Sequence, residues 1–175
     1  KKMEFFGQHL FNDGKMLVIT EGEIDAMSVS QIKGNKWPVV SLPNGAQGAE
    51  RSIKSNYEWL MGFEEIILMF DNDEPGREFA KRAAELLPVG KAKIATLPLK
   101  DANEMLVQGR VEELIKAQWN AKPYRPDGIV AGEDLWKLVE KEDEVASVPY
   151  PFKGLNDKLQ GLRLGELVVL TAGSG

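Results

Sequence analysis

An apolar run that ends abruptly in acid is the feature that most narrows the fold of this chain. Ile66 to Phe70 is unbroken apolar sequence, Asp71-Asn72-Asp73 follows at once, and Glu74-Pro75-Gly76 leads into a helix-like segment from Arg77 to Leu87. A short apolar run bounded by turn residues reads as a buried strand. Side chains alternate along an extended backbone, so Asp71 and Asp73 face the same way if the extension carries through Asn72. Neighbouring carboxylates repel unless a cation or a proton lies between them. Mg²⁺ takes one or two carboxylates, with phosphates and water completing its shell. The first reading is therefore a Mg²⁺ site at the carboxyl edge of a parallel sheet. The competing reading is a surface turn, with Asp73 capping the helix that Pro75 begins.

Other segments repeat the pattern. Met16 to Thr20 reads as a strand ending in Glu21-Gly22-Glu23, and Ile24 to Ile32 as the helix after it. Gly22 either turns the backbone sharply or lets another group come close. Val39 to Leu42 is a third strand before Pro43-Asn44-Gly45, a helix-like stretch runs from about Glu50 to Leu60, and Phe63 to Phe70 is the central strand. Lys93 to Leu97 is a fourth strand, and Asp101 to Val107 and Val111 to Trp119 read as helices split by Gly109. Strands alternating with helices imply a parallel sheet covered on both faces, with right-handed crossovers. Ligands gather beyond the carboxyl ends of such strands. Glu21 joins Asp71 and Asp73 there, and three carboxylates from two strand ends form the candidate metal set. His9 is the one histidine and there are no cysteines, which excludes disulfides and Cys-ligated zinc. Arg77, Lys81 and Lys100 are candidates for phosphate contact, although solvated helix-face roles are expected for the first two.

The chain changes character after about residue 121. Lys122 to Pro126 reads as a linker, and Glu133 to Glu142 as an amphipathic helix too short to stand alone, which expects a partner surface such as another subunit. Val148 to Gly175 is punctuated by Pro and Gly; a strand at Leu167 to Leu170 runs into Gly173-Ser174-Gly175, as a P-loop begins. The expected divisions are 1–121, 122–147 and 148–175. A net charge of −5 means that contact with nucleic acid has to come through metal ions or a local basic surface. No apolar run has the length of a membrane span and no signal-peptide pattern opens the chain, so the cytoplasm is the expected location and no membrane contact is expected.

Taken in series, these stretches resemble a known family. TEGEIDAMS at Thr20 to Ser28 resembles the Glu-containing motif of the TOPRIM domain, and FDNDEPG at Phe70 to Gly76 its Asp-x-Asp motif. SLPNGAQG at Ser41 to Gly48 and LKDANEML at Leu99 to Leu106 resemble the primase half of the bifunctional phage primase–helicases of the T-odd coliphage type. GIVAGEDLWKLVEKE resembles the linker helix by which ring-helicase subunits grip their neighbours, and FKGLNDKLQGLRLGELVVLTAGSG the entry to a RecA-like core, ending inside Walker A.

The resemblance implies an α/β fold: a Rossmann-like TOPRIM parallel-sheet domain, then a linker helix and a partial RecA-like segment. It implies Glu21, Asp71 and Asp73 as catalytic and metal-binding acids, Asp101 as a further metal position, and Gly173, Ser174 and Gly175 as half of a nucleotide-binding loop. Lys100, beside Asp101, is the lysine expected to touch a nucleotide. The implied chemistry is synthesis of short RNA primers on single-stranded DNA with Mg²⁺, two ions in all, joined in a longer protein to NTP-driven unwinding. The implied partners are the DNA template, ribonucleoside triphosphates, further copies in a ring through the 133–142 helix, and a replication polymerase. The loop lacks its Lys and Ser/Thr, so ATP hydrolysis is not expected of this chain. A cysteine-rich zinc module and most of a preceding basic subdomain have no counterpart here, so a central piece of a longer protein is expected. Two alternatives remain, a TOPRIM metal-dependent nuclease and an assembly module inert in isolation; a topoisomerase needs a catalytic tyrosine, and none of Tyr57, Tyr124 and Tyr150 sits in a recognised motif.

Overall fold

Alternation within two central strands divides the core between the two faces of a sheet. Leu17, Ile19, Ile66, Leu68 and Phe70 pack on one face, while Val18, Ile67 and Met69 pack on the other. A computed structural model describes residues 3–126, 132, 135–136, 147–169 and 171–173. In it β1 (Gly14–Thr20), β2 (Val39–Ser41), β3 (Phe63–Met69) and β4 (Ala92–Ile94) run parallel in the order β2-β1-β3-β4. The helices α2 (Ala49–Ser55), α3 (Tyr57–Met61) and α4 (Glu74–Glu85) cover the first face. On the second face lie α1 (Glu23–Ile32), α5 (Ala102–Val107) and α6 (Val111–Trp119). A strand apolar on both sides needs helices on both sides, which is why the parallel arrangement follows.

The structure departs from the sequence reading at four places. The stretch expected as one helix from Glu50 to Leu60 is two, because Asn56 leaves helical geometry and turns its side chain inward. Asn56 is buried; its amide nitrogen donates to Met3 O at 2.6 Å and Ser52 O at 2.9 Å, and its oxygen accepts from Gln8 Nε2 at 3.2 Å. Lys122 to Pro126, expected as a linker, instead begins with β5 (Lys122–Pro123), which pairs antiparallel with β4. Pro123 is tolerated there because an edge strand has one side without ladder partners. Tyr124 continues the attachment, its N–H donating to Ala92 O at 2.9 Å. The compact unit therefore runs on to about residue 129, and the sheet is parallel except at this edge.

Residues 130–175 form a second unit. In it β6 (Ser147–Val148) and β7 (Leu162–Arg163) pair antiparallel around α7 (Lys153–Leu159), and the Asn156 side chain bonds both the N–H and the C=O of Tyr150 at 2.7 Å. The strand expected at Leu167 to Leu170 is absent from Leu167 to Val169, which are exposed coil. Among the described residues no strand lies beside them, and an apolar segment without a ladder partner has nothing to hold it extended. Most of the helix expected over 133–142 lies outside the described residues. Among the described residues no helix is long and apolar enough to cross a membrane.

Asn56→Ala removes the side-chain partner of the half-buried Met3 O and Gln8 Nε2 and one of two donors to Ser52 O, and each lost hydrogen bond costs about 0.5–1.5 kcal/mol. We expect that substitution to lower the denaturant midpoint strongly, by more than Gln31→Ala on the exposed face of α1. Urea unfolding of the two variants side by side is the check.

Candidate active site

The β1–β3 register fixes what meets at the carboxyl edge. Thr20 pairs with Met69, so Glu21 and the Phe70-Asp71 end of β3 leave the sheet beside each other. The Glu21 carboxylate accepts the Ala46 N–H at 3.3 Å. That donor is delivered by the Pro43-Asn44-Gly45 turn, where Gly45 sits at φ 65, a conformation that favours glycine. Asp71 is mostly buried and lies 3.5 Å from the exposed Lys100 ammonium. Asp73 caps α4, its carboxylate accepting the Gly76 N–H at 2.7 Å, so the capping reading of this residue holds in the structure. Asp101 does the same for α5, accepting the Glu104 N–H at 2.7 Å. Each of the two caps keeps a second carboxylate oxygen for other work.

Asp25 belongs to the same edge and was missed in the sequence. It lies four residues beyond Glu21 in the first turn of α1, a spacing that could have flagged it. Its carboxylate accepts the Asn103 N–H at 2.9 Å, tying α1 to α5. A Cβ at Gly22 would come within 2.8 Å of the other Asp25 oxygen, so close approach, rather than a positive φ, is what Gly22 provides. Glu21, Asp25 and Asp71 together line an open cleft of about 360 Å³ with Pro43 and Gly45.

Asn72 braces the loop between the acids. Its side chain donates to Leu97 O at 2.7 Å and its backbone N–H to Lys100 O at 2.6 Å. Arg77 donates to Asn72 O and Oδ1 at 2.9 and 3.1 Å. Arg77 is thus a strut, while Lys100 is aimed at the acids. Gly76 completes the brace: a Cβ there would run into the Asp71 carbonyl oxygen.

Like charges crowd this edge. Burial raises the Glu21 carboxyl above its ordinary value; the Ala46 N–H opposes that, and the Asp71 and Asp73 charges add to it. Asp25 is raised by burial, with the Asn103 N–H opposing and Asp101 and Asp71 reinforcing. Asp71 is raised by burial as well; Lys100 offsets part of this, and Asp101 and Asp73 add to it. Lys100 is raised in turn by Asp71. An all-oxygen donor set whose negative charge Lys100 relieves only in part fits a hard divalent cation. The sequence reading gathers Glu21, Asp71 and Asp73 into one metal set, whereas among the described residues no group of three acids stands at metal-holding distance. Gly173 lies in exposed coil, without the strand expected before it, and Ser174 and Gly175 lie outside the described residues.

Residues 18–106 match the Toprim-like family model. The chain is 44% identical over 179 residues to the DNA helicase/primase of Enterobacteria phage T3, covering all of this chain and 32% of that protein. It therefore spans about a third of that relative's length. Among solved structures it resembles the primase fragment of the bacteriophage T7 primase–helicase, at 49% identity and TM-score 0.64, covering 66% of this chain and 48% of that one. It also resembles a T7 chain solved with lagging-strand DNA polymerase, in which the primase domains of two subunits are bound to an RNA/DNA hybrid and dTTP. That match has 49% identity and TM-score 0.66, covering 69% of this chain and 61% of that one.

The raised carboxyls have a consequence for stability. An acid whose folded-state pKa is raised stabilises the fold below its unfolded value and loses that contribution as pH climbs through the raised value. In EDTA we therefore expect the melting temperature to fall as pH rises from the ordinary carboxylate range upward, and less so in Asp71→Asn. Mg²⁺ at about 100 times its Kd restores about 2.7 kcal/mol to the wild type. Parallel pH–melting curves for the two proteins, with and without Mg²⁺, would refute the site.

Proposed function

We infer function from the premise that the chain belongs to the Toprim-like family. We propose that it is the catalytic part of the primase in a phage primase–helicase, joining ribonucleotides on single-stranded DNA in the host-cell cytoplasm. The observation that carries this is the meeting of Glu21 with Asp71 at adjacent strand ends, the proton affinity of each raised first by burial and then by neighbouring carboxylates, Asp71 for Glu21 and Asp101 for Asp71. Toprim primases work with divalent metal ions; that the ions are Mg²⁺ and two in number belongs to our proposal.

In this reading Asp71 and Asp73 hold metal, with Glu21 and Asp25 completing the oxygen set and Asp101 adding an outer carboxylate. These residues would hold the metal, and the chemistry it would supply there when bound is a lowered pKa for an attacking 3′-hydroxyl and charge neutralisation for the pyrophosphate leaving group. Glu21, whose carboxylate accepts the Ala46 N–H, would serve either as a further metal ligand or as the base for the hydroxyl proton. Lys100, exposed and anchored beside Asp71, supplies a cation to the triphosphate. The Asn72 brace fixes where that cation stands relative to the acids.

A nuclease is not favoured, because the chain's phage relative is a helicase/primase. Nor is a topoisomerase: no tyrosine lines the acidic cleft among the described residues, and Tyr124 is engaged with Glu85 at 2.8 Å. The T7 complex supports a DNA strand and a replication polymerase as partners. A ring contact through the 133–142 helix is carried by its sequence pattern alone.

The test is primer synthesis by the full-length parent protein from ribonucleoside triphosphates on single-stranded DNA. Asp71→Asn is expected to abolish synthesis with template binding retained. Lys100→Ala is expected to raise KM for the nucleotide about tenfold or more, the worth of one charge-assisted contact. Undiminished synthesis by Asp71→Asn would sink the reading.

A further inference from the structure

A cleft at the opposite end of the sheet takes no part in this chemistry. It encloses about 490 Å³ between the starts of β1 and β3, the end of α1 and the last turns of α6. That is the size range of small-ligand sites. The strands between the two ends are seven residues long, so it lies on the order of 20 Å from the acids.

Its lining combines three kinds of group. Trp37 and Trp119 offer indoles that are 52% and 68% exposed. Lys33 reaches over Trp37, its Nζ 5.5 Å from the ring centroid. Burial lowers this ammonium to about 8, and no carboxylate offsets that cost. Gln118 is 3% exposed, yet its side-chain amide has one protein partner among the described residues, Met16 Sδ at 2.9 Å, a weak acceptor. Of the acids at this cleft, Glu65 is paired with Lys93 at 2.7 Å, and Glu64 is exposed, as is Lys15.

We propose that this cleft is a second nucleotide-binding site, in which a base stacks on Trp37 or Trp119, the Gln118 amide meets its polar edge and Lys33 takes its phosphate. Flat aromatic faces, an amide with unused hydrogen-bonding capacity and the Lys33 cation match a base joined to a phosphate. Every base has a π-face, so stacking on an indole is strong and tolerant of sequence. A cation on an aromatic face keeps its attraction for an anion while gaining from the ring. The nucleotide can be free or part of a single strand, and the chemistry recognised is the same.

The experiment follows the tryptophan indole N–H signals of the full 175-residue chain by ¹H–¹⁵N NMR, in EDTA so that the acidic edge holds no metal. ATP and the octamer (dT)₈ are titrated separately. We expect saturable shifts of Trp37 and Trp119, while Trp59, whose indole donates to Phe11 O at 2.9 Å, stays fixed. A response to ATP alone assigns a free-nucleotide site, a response to (dT)₈ alone a strand site, and a response to both supports the shared chemistry. Lys33→Gln is expected to weaken binding at least about fivefold. With (dT)₈ it also reduces the slope of log affinity against log salt by about 0.7. Trp119→Leu, at an exposed position, is expected to weaken binding about fivefold or more. Asp71→Asn is expected to leave it unchanged, which separates this site from the acidic one. Absence of shifts at millimolar ligand, or shifts that survive both Lys33→Gln and Trp119→Leu, overturns the proposal. So does a response only to an acidic, tyrosine-containing peptide, which would make the cleft a protein-docking site.

Discussion

Repulsion between Glu21 and the acids at the end of β3 is the interaction the rest of this fold has to contain. Two unit charges about 5 Å apart near a protein surface interact by roughly 3 kcal/mol. Net stabilities of domains are about 5–15 kcal/mol, so such a cluster is affordable only over a firm base. That base is the strand pair itself. Leu17, Val18, Ile19, Ile66, Ile67 and Leu68 are almost wholly buried, and each such side chain contributes about 1.5–3 kcal/mol. The acids begin where this ladder stops, so the carboxylates occupy the first positions that water and a cation can reach.

Local hydrogen bonds then keep the repulsion from simply opening the edge. Ala46 N–H holds Glu21, Asn103 N–H holds Asp25, and the N-termini of α4 and α5 hold Asp73 and Asp101. At the two helix caps, Asp73 and Asp101, the donor takes one oxygen and leaves one. Capping and metal binding are therefore compatible uses of the same aspartates: the helix dipole steadies a carboxylate whose other oxygen stays available. Asn72 adds the geometric element, joining the β3 end to the Leu97–Lys100 segment so that Lys100 and Asp71 move together.

Much of this was legible in one dimension, for a physical reason. Buried parallel strands are short apolar runs, and the acids that follow them are adjacent in sequence to their own anchors, so Glu21, Asp71 and Asp73 could be placed on one edge before any coordinates. Asp25 was harder, because its membership depends on how α1 leaves Gly22 and on an N–H supplied by Asn103, 78 residues away. The break at Asn56 was invisible since its partners, Met3 and Gln8, lie near the N-terminus. β5 was hidden by Pro123 and the nearby Pro126, which together read as linker; Pro123 is tolerated because the strand sits at an edge. The Trp37–Gln118 cleft had no local signature at all: it exists because α6 crosses back over the starts of β1 and β3.

The two ends of the sheet pose opposite electrostatic problems to a nucleic acid. The acidic edge repels phosphate until divalent charge arrives, which suits a site that should act only when loaded. The other end presents Lys33 without a carboxylate partner among the described residues, and in our proposal it holds a phosphate with no metal present. In a chain of net charge −5, long-range attraction cannot gather a polyanion; contact has to be local at both ends. A nucleotide held at the Lys33 end raises the effective concentration of whatever it is tethered to at the other. Holding and joining would then respond to different variables, the first to salt and the second to divalent metal, because the groups responsible are an ammonium in one place and carboxylates in the other.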